Sequence, residues 1–507
     1  MHIAFLNPQG NFDHADSYWT EHPDFGGQLV YVKETALALA RLGHRVDILT
    51  RRIVDPAWPE FAAQEDGYPG SDVRILRLPC GPEGFAPKEK LWPHLAGEWV
   101  TQILGFYDRA ESRPAFFTAH YGDGGLAGAE LYRRTGIPFT FTGHSLGAQK
   151  MDKLGVDAGN FDENEQRYRF SVRIAAERLS MSTSRVIVVS TELERREQYG
   201  HSLYHGAVDP ADDDRFAVIP PGVNRTIFTD EPQPDDGSIA ARIEAAVTRD
   251  IAPARRELPL VVCSSRLDPK KNHLGVVRAF AGSPGLQTAA NLAIVVRGLE
   301  DPLRDFETLA GEEREILREI VTLAAGSGLS GALTGFPLDN QAELAAAYRV
   351  LAARGSIFCL TALYEPFGLA PLEAMSCGLP AVVTKNGGPR ESLADPDGTE
   401  YGVLVDPLDP EDIAAGLLDL VADPENRQRF RAIGLARVRS KYTWERTAEG
   451  YLAELEAPAP GGPNKDHGGL TRDHGEMAIP AYFFGGSREH LVEALKARYL
   501  QQEGADA

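Results

Sequence analysis

Apolar and polar positions in the first half of the chain fall into short runs of strand length separated by longer helical stretches. The apolar runs lie at 2–6, 45–50, 73–79, 116–120, 138–142, 185–190 and 216–219. Runs of that length divided by amphipathic segments predict a βαβ succession, and so a mostly parallel sheet covered by helices. A second series begins at Leu260-Val261-Val262-Cys263-Ser264 and continues at 292–296, 356–360, 381–383 and 403–405. That restart predicts an α/β protein of two doubly wound, Rossmann-like domains. Between the two series, 226–257 loses strand character and carries Asp230-Glu231-Pro232 and Pro234-Asp235-Asp236-Gly237. The hinge is expected there, with domains at 1–240 and 241–456. The run Ala457-Pro458-Ala459-Pro460-Gly461-Gly462-Pro463 predicts a linker over 457–476. Within 477–507, the stretch from Leu491 to Leu500 is expected to form a closing helix that completes the first domain.

Length and charge narrow this picture. A chain of 507 residues is past the size at which one core keeps growing, which agrees with two domains. The formal net charge of -21 argues against nucleic acid or an anionic membrane surface as the main partner. Any anionic ligand must be held by local basic clusters. The four cysteines, Cys80, Cys263, Cys359 and Cys377, form no CxxC pair. With no leader-like start and no apolar stretch of membrane length, free thiols lead to an expectation of a cytoplasmic protein.

Three segments could carry chemistry. In the first, Phe25-Gly26-Gly27-Gln28 precedes Leu29, Val32, Ala36 and Leu39 at helical spacing. A glycine pair opening a helix lets the chain approach a diphosphate, whose oxygens are favoured by the first amides and the helix dipole. A helix-packing turn would use the same residues. In the second, Tyr364-Glu365-Pro366-Phe367-Gly368 follows an apolar strand and opens a helix running from Leu369 to Cys377. The amides of Leu369 and Ala370 make another anion site, and Glu365 and Glu373 bracket it as acceptors for paired sugar hydroxyls. Solvated carboxylates are the alternative, although Glu373 sits in an otherwise nearly apolar helix where an unpartnered charge is costly. The third segment is Ser264-Ser265-Arg266-Leu267-Asp268-Pro269-Lys270-Lys271-Asn272, which places cations at the carboxyl end of a strand. Open α/β sheets bind ligands there, and cations would stabilise a departing diphosphate.

Two motifs point elsewhere. Gly143-His144-Ser145-Leu146-Gly147 matches the G-x-S-x-G elbow of serine hydrolases, but the following Ala148-Gln149-Lys150-Met151-Asp152-Lys153 is polar where an elbow helix is buried. Asp395-Pro396-Asp397-Gly398-Thr399 resembles a phosphatase loop but lacks the hydrophobic strand before it, so a turn is expected. No spacing among the 13 histidines suggests a metal cage, and Asp212-Asp213-Asp214 reads as a solvated loop.

Taken together, these segments resemble the retaining GT-B glycosyltransferases, most closely the sucrose-phosphate synthase family. The resemblance rests on Phe5-Leu6-Asn7-Pro8-Gln9-Gly10, on the stretch from His22-Pro23-Asp24 to Glu34, and on Gly143 to Gly147, Ile219-Pro220-Pro221-Gly222-Val223, Ser265 to Asp268, Glu365 to Leu369 and Asn386-Gly387-Gly388-Pro389. It implies two domains facing an interdomain cleft, with a nucleotide-sugar bound mainly to the second. Arg266 and Lys271 would hold its diphosphate with the amides of Leu369 and Ala370. Gly27, Phe367 and Gly368 complete the donor set, Glu373 would take the ribose, Glu365 the transferred hexose, and His144 the sugar or the reacting face. Fructose 6-phosphate would bind the first domain at Gly26, Gln28, Lys88, Tyr121, Lys150, Arg169 and Arg173. Arg169 and Arg173, four apart, are expected on one helix face. The family often has two adjacent arginines where this chain has Val172-Arg173, a departure from its phosphate-binding pattern.

The activity so implied moves glucose with retention from UDP-glucose, or another NDP-glucose, to fructose 6-phosphate. Variants on the same motifs use GDP-mannose or free fructose, and a sugar-nucleotide epimerase shares the fold. No cofactor is required, with Mg2+ entering at most as an activator. Dephosphorylation of the product would fall to a separate phosphatase.

Overall fold

The structure, a computed structural model, describes residues 1–19, 25–457 and 479–503. The motif residues His22, Pro23 and Asp24 and all but the first residue of the expected linker lie outside the described residues.

The first apolar series folds as β1 (His2–Leu6), β2 (Arg45–Arg51), β3 (Glu65–Gly67), β4 (Val73–Leu78), β5 (Phe116–His120), β6 (Phe139–Thr142), β7 (Val186–Val189) and β8 (Phe216–Val218). They form one sheet in the order β3-β4-β2-β1-β5-β6-β7-β8, parallel except for β3 against β4. The second series folds as β9 (Leu260–Cys263), β10 (Asn291–Val295), β11 (Leu333–Phe336), β12 (Ile357–Leu360), β13 (Ala381–Thr384) and β14 (Val403–Val405). Their sheet is parallel throughout, in the order β11-β10-β9-β12-β13-β14.

Two strands escaped the apolar pattern for clear reasons. Strand β3 is Glu65-Asp66-Gly67 at a sheet edge, and it pairs with β4 while Asp66 bonds to the buried Arg77 at 2.8 Å. Strand β11, Leu333-Thr334-Gly335-Phe336, has its apolar run broken by threonine and glycine.

Each parallel sheet is covered on both faces, and strand periodicity sorts its side chains between them. In the second sheet, Leu260, Val262, Phe358, Leu360, Ala381 and Val383 join one apolar cluster. Their neighbours Val261, Cys263, Ile357, Cys359 and Val382 join the other. All four cysteines are buried free thiols.

The chain divides into one unit that runs to Pro220 and resumes at Thr447, and a second running from Pro221 to Arg446. The division thus precedes the expected boundary at 240/241. The reason lies in helix Asp236–Asp250, whose stripe of Ile239, Ile243, Ala246 and Val247 is buried in the same cluster as Leu260, Val262 and Phe358. Pro220-Pro221, one residue past β8, ends the first sheet instead. The helices Trp444–Glu456 and Glu489–Glu503 bring the chain back to the first unit, the latter packing on helix Phe170–Thr183. Among the described residues, no helix is long and apolar enough to cross a membrane.

Candidate functional site

The second unit assembles a polar site at the carboxyl ends of β9 and β12, the crevice where open parallel sheets bind ligands. After β9, Asp268 caps a short turn through Lys270, and Asn272 (φ 57°) caps the helix His273–Gly282. The Lys271 ammonium bonds to Glu365 Oε2 at 2.6 Å, so one donor-site cation is already paired with the carboxylate expected to hold the hexose. Arg266 is exposed, and its guanidinium has no partner among the described residues.

Helix Leu369–Ser376 begins after Gly368, whose φ of 92° belongs to the region glycine adopts freely, and no side chain caps its first turn. The open amides of Leu369 and Ala370 follow from that. Asn386-Gly387-Gly388-Pro389 has a packing role: a Cβ on Gly387 would stand 2.1 Å from the Glu365 carbonyl oxygen, and one on Gly388 2.5 Å from the Phe367 Cα. Glu365 and Gly387 form a parallel bridge, so the glycines let one loop lie against the other and pin Glu365. The Phe367 ring packs against Tyr442 at 6.1 Å and joins the core. Its side chain is therefore engaged within the protein.

The Glu373 carboxylate has no hydrogen-bonding or ionic partner among the described residues, and burial pushes it up to about 7. A desolvated carboxylate without partners is a ready acceptor for hydroxyl groups. If it serves as one, donor KM should rise as pH falls below about 7, where the free carboxylate takes up a proton. In Glu373→Gln the KM should be higher and flat across that range; a wild-type profile flat between pH 6 and 8 (roughly one unit either side) would rule the role out.

In the first unit, Gly26 caps helix Gly27–Arg41 without any side-chain cap. Among the described residues, a Cβ on Gly26 or Gly27 would meet nothing within 4 Å. The Gln28 amide donates to Asn7 Oδ1.

The expected basic cluster is only partly as the spacing suggested. Arg169 adopts φ 54° and separates helix Phe161–Tyr168 from helix Phe170–Thr183. The pair therefore does not share one helical face, because the i, i+4 rule fails where the backbone turns left-handed. Arg173 is buried, with Nε donating to Glu177 at 2.9 Å and Nη2 to the Ser145 carbonyl at 2.6 Å, and it lies 4.6 Å over the Tyr121 ring. Lys88 lies 3.5 Å from Glu89. Lys150 stands 3.9 Å over the Tyr168 ring. Partial burial, then the charges of Arg173 and Lys88, push its ammonium down to about 8. Cations that repel one another in a half-buried site create a place for an anion.

Ser145 is exposed, and its hydroxyl accepts from Arg173 at 3.3 Å. The neighbouring His144 turns instead to His120, with Nε2 2.9 Å from its Nδ1. The base that a serine nucleophile needs is engaged elsewhere. Asp395 is likewise held by Arg437 at 2.8 Å and Tyr401 at 2.7 Å, and Asp213 pairs with Arg195.

Several residues of the site were not singled out in the sequence. Glu177 is buried beneath Gly143-Gly147, where it accepts from the Gly147 amide, Arg173 and the Tyr204 hydroxyl. Asp123 is buried, pushed up to about 7 by burial, and its Oδ2 has no partner among the described residues. Thr118 and His120, in the carboxyl half of β5, pack beside His144. The position of His120 at a strand's carboxyl end is the one sequence feature that could have flagged it. Tyr121 (φ 64°) and His144 (φ 56°) join Arg169 among the seven described non-glycine residues with positive φ. Such backbone is concentrated at functional loops. Among the described residues, no three His, Cys, Asp or Glu side chains converge as a metal cage.

Comparison with known proteins fits this geometry. Residues 246–437 match the family described as glycosyl transferases group 1, and residues 26–222 match the glycosyl transferase 4-like domain. A probable sucrose-phosphate synthase of Thermosipho melanesiensis is 44% identical over 457 residues, covering 90% of this chain and 96% of the relative. The sucrose-phosphate synthase of Zea mays is 31% identical over 90% of this chain, which spans only 47% of that longer protein. The solved sucrose-phosphate synthase of Thermosynechococcus elongatus superposes with a TM-score of 0.59 at 25% identity, over 89% of this chain and 98% of that one. With identity sustained along nearly the full length of both chains in the first of these, and with the two α/β units in place, this chain belongs to the sucrose-phosphate synthase family of GT-B glycosyltransferases.

Proposed function

We propose that the chain transfers glucose, with retention, from UDP-glucose to fructose 6-phosphate, forming sucrose 6-phosphate. The observation that carries the phosphorylated acceptor is the half-buried Lys150 facing the charges of Arg173 and Lys88. A phosphate dianion relieves that repulsion, whereas a neutral sugar does not. The identity of the sugars is supported by the names of the relatives. On the donor side, Arg266, Lys271 and the amides of Leu369 and Ala370 hold the diphosphate, Glu373 the ribose and Glu365 the hexose. Retention without a dedicated nucleophile follows if the acceptor hydroxyl attacks the face from which the nucleotide departs, with its proton passing to a leaving phosphate oxygen. The protein then supplies alignment and charge stabilisation.

The test is an activity panel of UDP-glucose, ADP-glucose and GDP-mannose against fructose and fructose 6-phosphate, with product mass and nucleotide release recorded. A phosphorylated disaccharide from UDP-glucose and fructose 6-phosphate is expected. Nucleotide release that does not depend on acceptor would refute the transferase reading. Lys150→Met should raise the KM for fructose 6-phosphate by about 10- to 100-fold, the range allowed by a lost charged hydrogen bond of about 1.5–3 kcal/mol. Acceptor affinity of the wild type should fall as pH rises through about 8, where the free ammonium loses its proton.

A further inference from the structure

Behind His144 lies a chain of hydrogen-bonding groups that determines which face of its imidazole is a donor. Thr118 and His120 are two apart on β5 and so point to the same side of the sheet. Thr118 Oγ1 is 3.2 Å from His120 Nε2, and His120 Nδ1 is 2.9 Å from His144 Nε2. Thr118 and His120 are both fully buried. The His120 ring stacks on Phe5 at 5.4 Å, the His120 and His144 rings lie edge to edge with centroids 5.1 Å apart and 27° between their planes, and the Tyr31 ring meets His144 edge-on at 5.1 Å. These contacts hold both imidazoles in register.

Neutral imidazole has one N–H and one bare nitrogen, and each ring's state is set by the bond its other nitrogen makes. Both rings are neutral near pH 7: burial, together with the neighbouring His144, holds His120 well below the usual histidine range, and burial pushes His144 down to about 3. Two arrangements of protons connect the three groups. In one, the Thr118 hydroxyl donates to His120 Nε2, His120 Nδ1–H donates to His144 Nε2, and His144 keeps its proton on Nδ1. In the other, every bond reverses, and the buried Thr118 hydroxyl proton is left with no acceptor, since His120 is its hydrogen-bond partner among the described residues. An orphaned buried donor costs about 1–3 kcal/mol, so the first arrangement prevails. Among the described residues His144 Nδ1 has no partner, and it is absent from the buried unpaired polar atoms, so it is open to a ligand.

We propose that Thr118 and His120 are positioning residues that lock His144 as the Nδ1–H tautomer, so that it presents a hydrogen-bond donor to a hydroxyl or ring oxygen of the reacting sugar. The proposal rests on the reading that His144 faces the sugar, and its test separates the two. Two-dimensional NMR of protein carrying 15N-labelled histidine, with His144→Asn to assign the resonances, reads the tautomer without any activity measurement. The wild type should show His144 with Nδ1 protonated and Nε2 bare. Thr118→Val, which keeps the shape and removes the hydroxyl, should give a mixture of tautomers, and Thr118→Ser should restore the single one. A wild-type His144 protonated on Nε2, or a tautomer unchanged in Thr118→Val, overturns the proposal. In kinetics, Thr118→Val should lower kcat about fivefold to tenfold with acceptor KM unchanged, and Thr118→Ser should recover it. If the tautomer shifts while kcat does not, the relay stands and the assignment of His144 to the sugar falls.

Discussion

Arg266→Ala is expected to lower turnover by about two to three orders of magnitude, the loss typical of removing one preorganised group from developing charge. The guanidinium stands exposed beyond β9 with no partner among the described residues, so no described contact of the fold depends on it. Its removal should leave the unfolding midpoint unchanged. Lys271→Ala should cost a similar factor, but its effect is compound, because the ammonium also neutralises Glu365 at 2.6 Å. In that variant donor KM should rise as well, since the bare carboxylate would face the incoming diphosphate. Steady-state kinetics with saturating acceptor, alongside thermal unfolding, separates the two. Full turnover in Arg266→Ala would remove it from the reaction.

Arg173→Leu is expected to destabilise the first unit by about 3–5 kcal/mol, the usual cost of stripping one member from a buried ion pair. Side chains of Arg173 and Glu177 are 3% and 0% exposed, and Glu177 also holds the Gly147 amide and the Tyr204 hydroxyl. Losing the guanidinium leaves that carboxylate without its charged partner and frees the loop from Ser145 to Gly147. The melting midpoint of the variant should fall by roughly 6–20 °C at about 2–4 °C per kcal/mol. Lys150→Met should melt like the wild type while losing acceptor affinity. An unchanged midpoint in Arg173→Leu would mean that the buried pair contributes little, and that the arginine is free to meet phosphate directly.

These two arginines illustrate how far the chain could be read before folding. Both stood out as basic residues near ligand-binding motifs, and the local sequence separates them only by Glu177, four residues after Arg173. Arg266 proves to be a free cation and Arg173 a buried strut. The difference comes from Glu177, one turn further along the same helix, and from Ser145, brought to Arg173 by the packing of helix Phe170–Thr183 against the loop after β6. Likewise, the four-residue spacing of Arg169 and Arg173 assumed a continuous helix, and the left-handed backbone at Arg169 breaks it. Asn386-Gly387-Gly388-Pro389 was visible as a motif, but its steric reason, the approach of Glu365 and Phe367, exists only once the loops meet.

The α/β class, the two strand series and the glycine-opened helices were all written in the sequence, because apolar periodicity and turn chemistry act over a few neighbouring residues. So were Glu365 and Glu373, whose positions relative to Gly368 are local. Folding settled the remaining points: that the first unit ends at Pro220, that Lys271 is paired and Glu373 is not, and that Thr118, His120 and His144 form one chain of hydrogen bonds. Each of these depends on burial and on partners from distant parts of the chain, and both arise when the sheets and helices pack.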